Sequence, residues 1–161
     1  MNFQPTHGQK SSLGLYGLVT DGYRPIPDEL RFVLRQLDGK RKRTYVIWRA
    51  THPEKGYVTP ADMGDAFMQA AGSADQMTVE VRLPAADGEG HLYTVGRPDP
   101  ADGTTTLIPI SDDRAVRVFS NEIFTADEAA VIFYTYYLTD AVSQPYVLRE
   151  LDLSNELSEE R

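Results

Sequence analysis

Residues 118–152 read VFSNEIFTADEAAVIFYTYYLTDAVSQPYVLRELD, from Val118 to Asp152, and their reading decides the fold. An apolar extended run, Val118-Phe119 to Ile123-Phe124, leads to Thr125, which stands where a helix N-cap belongs. Glu128, three residues on, closes a capping box. The helix behind it carries Ala129, Ile132, Phe133, Tyr136 and Tyr137, spaced to bury one face. A turn at Gln144-Pro145 then leads into a last extended run, Tyr146 to Leu151. The stretch thus supplies a packed helix and part of its sheet, with no nucleophile, metal ligand set or phosphate loop.

Upstream, Leu30, Phe32, Val33, Leu34 and Leu37 form a second apolar helical stripe, with Pro27 near its start and Gly39 as a candidate C-cap. Arg43 to Ala50 (RTYVIWRA) is rich in β-branched and aromatic residues and reads as a strand, with Trp48 as packing. Met77 to Leu83 (MTVEVRL) alternates: Met77, Val79, Val81 and Leu83 share one face, Thr78, Glu80 and Arg82 the other. Asp65 to Ala71 is expected to pair with it through a turn at Gly72-Ser73-Ala74-Asp75. Further strands are expected at Tyr57-Val58, His91 to Arg97, Thr104 to Ile110 and Arg114 to Phe119, and a small edge strand or packed arm at Leu13 to Val19. Pro109 argues for an edge or a bulge. Clustered strands with few helices between them predict an α+β fold, a mainly antiparallel sheet of about six strands with two helices packed on it. Residues 1–12 read as a flexible arm, 13–153 as one domain and 154–161 as an acidic flexible tail.

The chain has 161 residues, 41% of them hydrophobic and 25% charged, and these proportions suit a globular domain rather than a disordered one. It contains no cysteine, which excludes disulfides, thiolate catalysis and zinc ribbons together. The N-terminus lacks an apolar signal-peptide core, and no apolar run approaches the roughly 20 residues of a membrane span, so a cytoplasmic location is expected. The net charge is −8. A nucleic-acid binder needs a positive footprint, and the one basic run, Lys40-Arg41-Lys42-Arg43, reads as a solvated turn beside a helix C-terminus. No nucleic acid and no membrane partner is expected. The acidic balance suits a basic protein partner.

His7, His52 and His91 have no second ligand at metal spacing, and no metal or cofactor site is expected. There is no G-x-S-x-G elbow and no dinucleotide fingerprint. Glu80 with Arg82, and Arg149 with Glu150, read as exposed-face ion pairs on strands rather than as acid–base catalysts. Tyr134, Tyr136 and Tyr137 read as core-edge residues, rings buried and hydroxyls wet.

Three segments in order, MQAAGSADQMTVEVRL, HLYTVGR and EIFTADEAAVIFYTYYLTDAVSQPYVLRELDL, resemble the immunity proteins of bacterial polymorphic toxin systems. These include the immunity proteins of deaminase toxins and the antitoxins of secreted NAD-degrading toxins. The similarity spans roughly Gly64 to Leu153 and rests on element order. It implies a non-catalytic inhibitor that binds a cognate toxin encoded nearby, an NAD glycohydrolase or a nucleic-acid-targeting enzyme, and blocks its active site. Such inhibitors often use a protruding loop as the plug. The candidate partner-binding residues are Gly72, Ser73, Ala74 and Asp75 in one turn, and Asp87, Gly88 and Glu89, followed by Gly90, in a second. A non-catalytic adaptor or secretion chaperone is the alternative, and a small enzyme using a carboxylate with His91 or Tyr93 is the third reading.

Overall fold

The computed structural model describes residues 3–151. Seven strands form one antiparallel sheet: β1 (His7–Ser11), β2 (Tyr16–Leu18), β3 (Thr44–Arg49), β4 (Phe67–Ser73), β5 (Gln76–Pro84), β6 (Gly90–Gly96) and β9 (Val147–Glu150). Their order across the sheet is β2-β1-β3-β4-β5-β6-β9, and β7 (Thr105–Pro109) and β8 (Ala115–Phe119) make a separate two-stranded ribbon. Two helices, α1 (Ile26–Arg35) and α2 (Ala126–Thr139), complete the α+β architecture. No helix of the described residues is long and apolar enough to cross a membrane.

Strand periodicity places the core. Tyr45 and Ile47 of β3, Met68 and Ala70 of β4, and Met77, Val79 and Val81 of β5 share one face and pack beneath Leu30, Leu34, Ala129, Ile132, Phe133 and Tyr136 of the helices. The rings of Tyr45 and Phe133 stack at 5.7 Å. The capping box forms in both directions: the Thr125 amide donates to Glu128 Oε1 at 2.9 Å, and the Glu128 amide to Thr125 Oγ1 at 3.3 Å. At the first helix, Gly39 adopts φ +75° in the turn beyond the helix, whereas the C-cap itself is Gln36.

The opposite face of the sheet is also covered. Val46 and Trp48 pack with Ala50 and Val58, and with Met63. A Cβ on Gly8 would lie 2.7 Å from the Trp48 ring, so β1 needs glycine there to cross the indole. The β7–β8 ribbon has a small apolar cluster of its own, Ile108, Val116 and Val118, and its β7 strand lies against β4 and β5. This coverage corrects the expectation that Glu80 is solvent-facing: Glu80 is only 5% exposed and accepts from Gln69 at 3.4 Å. Glu122, equally buried, takes both Nε and Nη2 of Arg149, at 2.8 and 2.9 Å.

Three other expectations are corrected. Residues 1–12 are not wholly an arm, because His7–Ser11 is a strand lying between β2 and β3. The segments 105–109 and 115–119 do not join the main sheet. Tyr57-Val58 is not a strand but a connection between two short 3₁₀ turns, Pro53–Lys55 and Pro60–Asp62. The expected tail, 154–161, lies outside the described residues.

Two substitutions test this packing by urea unfolding. Phe133→Ala removes a fully buried ring and is expected to cost about 3–5 kcal/mol. Gly72 sits at φ +127°, and a Cβ there would come within 2.4 Å of the Gln76 carbonyl oxygen. Gly72→Ala is therefore expected to cost more than about 1 kcal/mol; an unchanged midpoint would contradict the register of the β4–β5 hairpin.

Candidate partner-binding surface

The β5–β6 connection is built by short-range chemistry. Gly88 takes φ +83°, and the turn closes through Gly88 N–H to the Ala85 carbonyl at 3.0 Å and Ala85 N–H to the Glu89 carbonyl at 2.9 Å. Asp87 Oδ1 accepts the Glu89 amide at 2.9 Å, which leaves its second oxygen for His91 Nε2 at 2.9 Å. The other ring nitrogen of His91, Nδ1, meets Glu150 of β9. Asp87, Gly88 and Glu89 are all exposed. The result is an ordered acidic turn clipped to the last strand of the sheet.

An imidazole between two carboxylates satisfies both only when both of its nitrogens carry protons. The hydrogen bonds to Asp87 and then Glu150 accordingly raise the His91 pKa, while the Glu89 amide and His91 hold the Asp87 carboxyl below its usual range. A histidine whose folded pKa is raised stabilises the fold fully below its unfolded value, near 6.5, and loses that contribution as pH rises through the folded value. The clip is therefore strongest in mild acid. An NMR titration is expected to place the His91 midpoint above about 6.5, with Asp87→Asn moving it back toward that value. A wild-type midpoint at or below the ordinary value would contradict the clip.

The turn at Gly72, Ser73, Ala74 and Asp75 is placed differently. Gly72 is buried and Ser73 bridges to Asp38. The Ala74 amide donates to the Leu37 carbonyl at 2.8 Å, and the Ala74 carbonyl accepts the Ala126 amide at 2.8 Å. Strand pairing continues to Ser73 opposite Gln76, so only Ala74 and Asp75 turn the corner and only Asp75 of the four is exposed. This segment is docked under the helix ends rather than protruding. The two turns also lie at opposite ends of β5, about 30 Å apart at strand rise, and the structure does not bring them together.

A third cluster was not legible beforehand. His7, fully buried, receives the Thr6 hydroxyl at Nδ1 (2.8 Å) and donates from Nε2 to Asp140 Oδ1 at 3.1 Å. Arg49 Nε donates to the other Asp140 oxygen at 2.6 Å. Asp140 ends α2 at φ +59°, and the His7 ring lies 4.6 Å from that of Tyr137. The cluster ties the first strand to the end of the last helix. Desolvation lowers the His7 pKa, outweighing the hydrogen bond to Asp140. Here the sign reverses: stability falls as pH drops below the unfolded value near 6.5 toward the folded one. His91 acts in the opposite sense over the same window, so the His7 contribution is read as a difference: the urea midpoint of wild type relative to His7→Gln is expected to fall on acidification.

Among the described residues no group of three or more His, Asp or Glu side chains is placed to hold a metal ion. Compared with known proteins, the chain matches no family model, no curated protein and no solved structure.

Proposed function

We propose that this protein is an immunity protein: a stoichiometric inhibitor that binds a cognate bacterial toxin and covers its active site. The observation that carries the reading is the exposed Asp87-Gly88-Glu89 turn, held in shape by His91 and anchored to β9 through Glu150. Enzymes that degrade NAD or nucleic acid bind phosphate-bearing substrates and so present cationic groups in their clefts. A stiff acidic turn on a chain of net charge −8 complements such a cleft, speeds encounter and loses little entropy on docking. The order of elements from Gly64 to Leu153 supports the same reading by its resemblance to immunity proteins.

A second reading, the non-catalytic adaptor or secretion chaperone, draws on the outer face of α2, where Val131 and Leu138 are exposed although the helix is apolar on its inner face as well. The two readings separate on the partner: an inhibitor silences one enzyme, and an adaptor serves clients without altering their chemistry.

The test is co-expression with the product of the neighbouring gene. Toxicity of that product alone, rescued by this protein in a co-purifying complex, is expected. Asp87→Lys with Glu89→Lys is expected to weaken the complex at least about tenfold, mainly by reversing complementary charge. A harmless neighbour that does not co-purify would remove the proposal.

A further inference from the structure

The far edge of the sheet carries a different chemistry. Between the β1–β2 turn, the last turn of α1 and the start of β3 lies a groove of about 190 Å³, lined by Leu13, Leu15, Val33, Leu37, Lys42 and Thr44. Leu13 and Leu15 are 53% and 68% exposed. They are not loose, for the Ser11 amide donates to the Leu15 carbonyl at 2.9 Å and the Gly14 amide to the Ser11 carbonyl at 3.0 Å, while Ser11 Oγ accepts the Leu15 amide at 3.2 Å. Ordered leucines held in water beside an open apolar groove mark a contact surface. A cavity of about 150 Å³ holds one benzene ring, so the groove takes one large apolar side chain.

Its rim is basic. Asp38 Oδ1 accepts the backbone amides of Lys40, Arg41 and Lys42 at 2.8, 3.0 and 3.0 Å, so that one carboxylate folds the turn into a fixed shape. The neighbouring cations are spoken for: Arg31 pairs with Asp28, Arg35 with Asp127 and Arg43 with Asp112. Lys42 interacts electrostatically with Asp38, while Lys40 and Arg41 on the same turn are exposed. On a chain of net charge −8 this is a local reversal of sign, set against an apolar groove. Charges beyond about 8–10 Å are screened at physiological salt, so a short acidic ligand senses the rim and not the whole molecule.

We propose that the groove between the β1–β2 turn and α1 is a docking site for an acidic peptide segment: an apolar anchor enters between Leu13, Leu15 and Leu37, and flanking Asp or Glu side chains meet Lys40, Arg41 and Lys42. A nucleic acid fits less well. It brings no apolar anchor for the leucines, and a long polyanion meets the repulsion of the rest of the chain. The site lies at the β2 edge, six strand spacings or about 29 Å from the β9 edge. It does not depend on the inhibitor reading.

The test is selection of a random peptide-display library on the immobilised protein, on Leu13→Asn/Leu15→Asn and on Lys40→Glu/Arg41→Glu. All of these side chains are solvent-facing, and circular dichroism melts verify that both variants fold. Peptides that combine an apolar anchor with flanking acids are expected to be enriched, and each double variant is expected to weaken them at least about tenfold. Absence of enrichment, enrichment without acidic bias, or equal retention on either variant would overturn the proposal. A short single-stranded DNA that binds as tightly as the selected peptides, indifferent to the leucine variant, would also overturn it in favour of a polyanion contact.

Discussion

One residue of backbone joins the two helices to the sheet. Ala74 gives its amide to Leu37 beyond the end of α1 and its carbonyl to Ala126 at the start of α2. Both bonds satisfy groups at helix boundaries that would otherwise need water or a side chain. Next to it, Met77 and Phe124 exchange amide–carbonyl bonds at 2.9 and 2.8 Å, bringing the chain into the capping box at Thr125. Once the β4–β5 hairpin forms, both helices have a fixed docking point, and the apolar stripes of Leu30–Leu34 and Ala129–Tyr136 meet the same sheet face. The same bonds withdraw Gly72, Ser73 and Ala74 from solvent, which leaves the β5–β6 turn as the more exposed of the two hairpin ends.

The sheet therefore separates two kinds of surface. Its β6–β9 edge carries a carboxylate–histidine–carboxylate clip and an acidic tip, while its β2 edge carries ordered leucines and three cations arranged on one aspartate. Each arrangement spends local hydrogen bonds to hold charged or apolar groups in water, where relaxed loops would leave them free. Net charge alone hides this division, because it sums the two edges into a single acidic value. The histidines divide in the same way. His91 is favoured charged at an exposed edge, and His7 is favoured neutral inside, so their effects on stability oppose one another across mild acid.

Much of this architecture is legible in the chain. The Thr125–Glu128 box, the alternation of Met77, Val79 and Val81, and the β-branched run around Trp48 each carry their signal within a few residues, and each forms as read. What escapes sequence reading depends on contacts remote in the chain. His7–Ser11 lacks any apolar period and is a strand because β2 and β3 flank it and Asp140, 133 residues away, holds His7. Glu80 reads as exposed because alternation identifies faces but not what covers them, and a ribbon formed some thirty residues later lies on that face of the sheet. The basic turn at Lys40 reads as solvated, and Lys40 and Arg41 are exposed; the groove beside it escapes the reading because its leucines come from a different hairpin. The acidic turn at Asp87 to Glu89 is visible as a turn, but its stiffness rests on Glu150, which only the sheet order brings to His91.

The central claim is that this protein stops an enzyme by occupying its substrate cleft. The direct measurement is to titrate it into the purified toxin domain of the neighbouring gene and follow turnover of that enzyme's substrate. The account predicts a linear fall to zero at one equivalent, with excess substrate delaying the onset of inhibition. Full turnover in a saturated complex, or inhibition indifferent to substrate concentration, would contradict it.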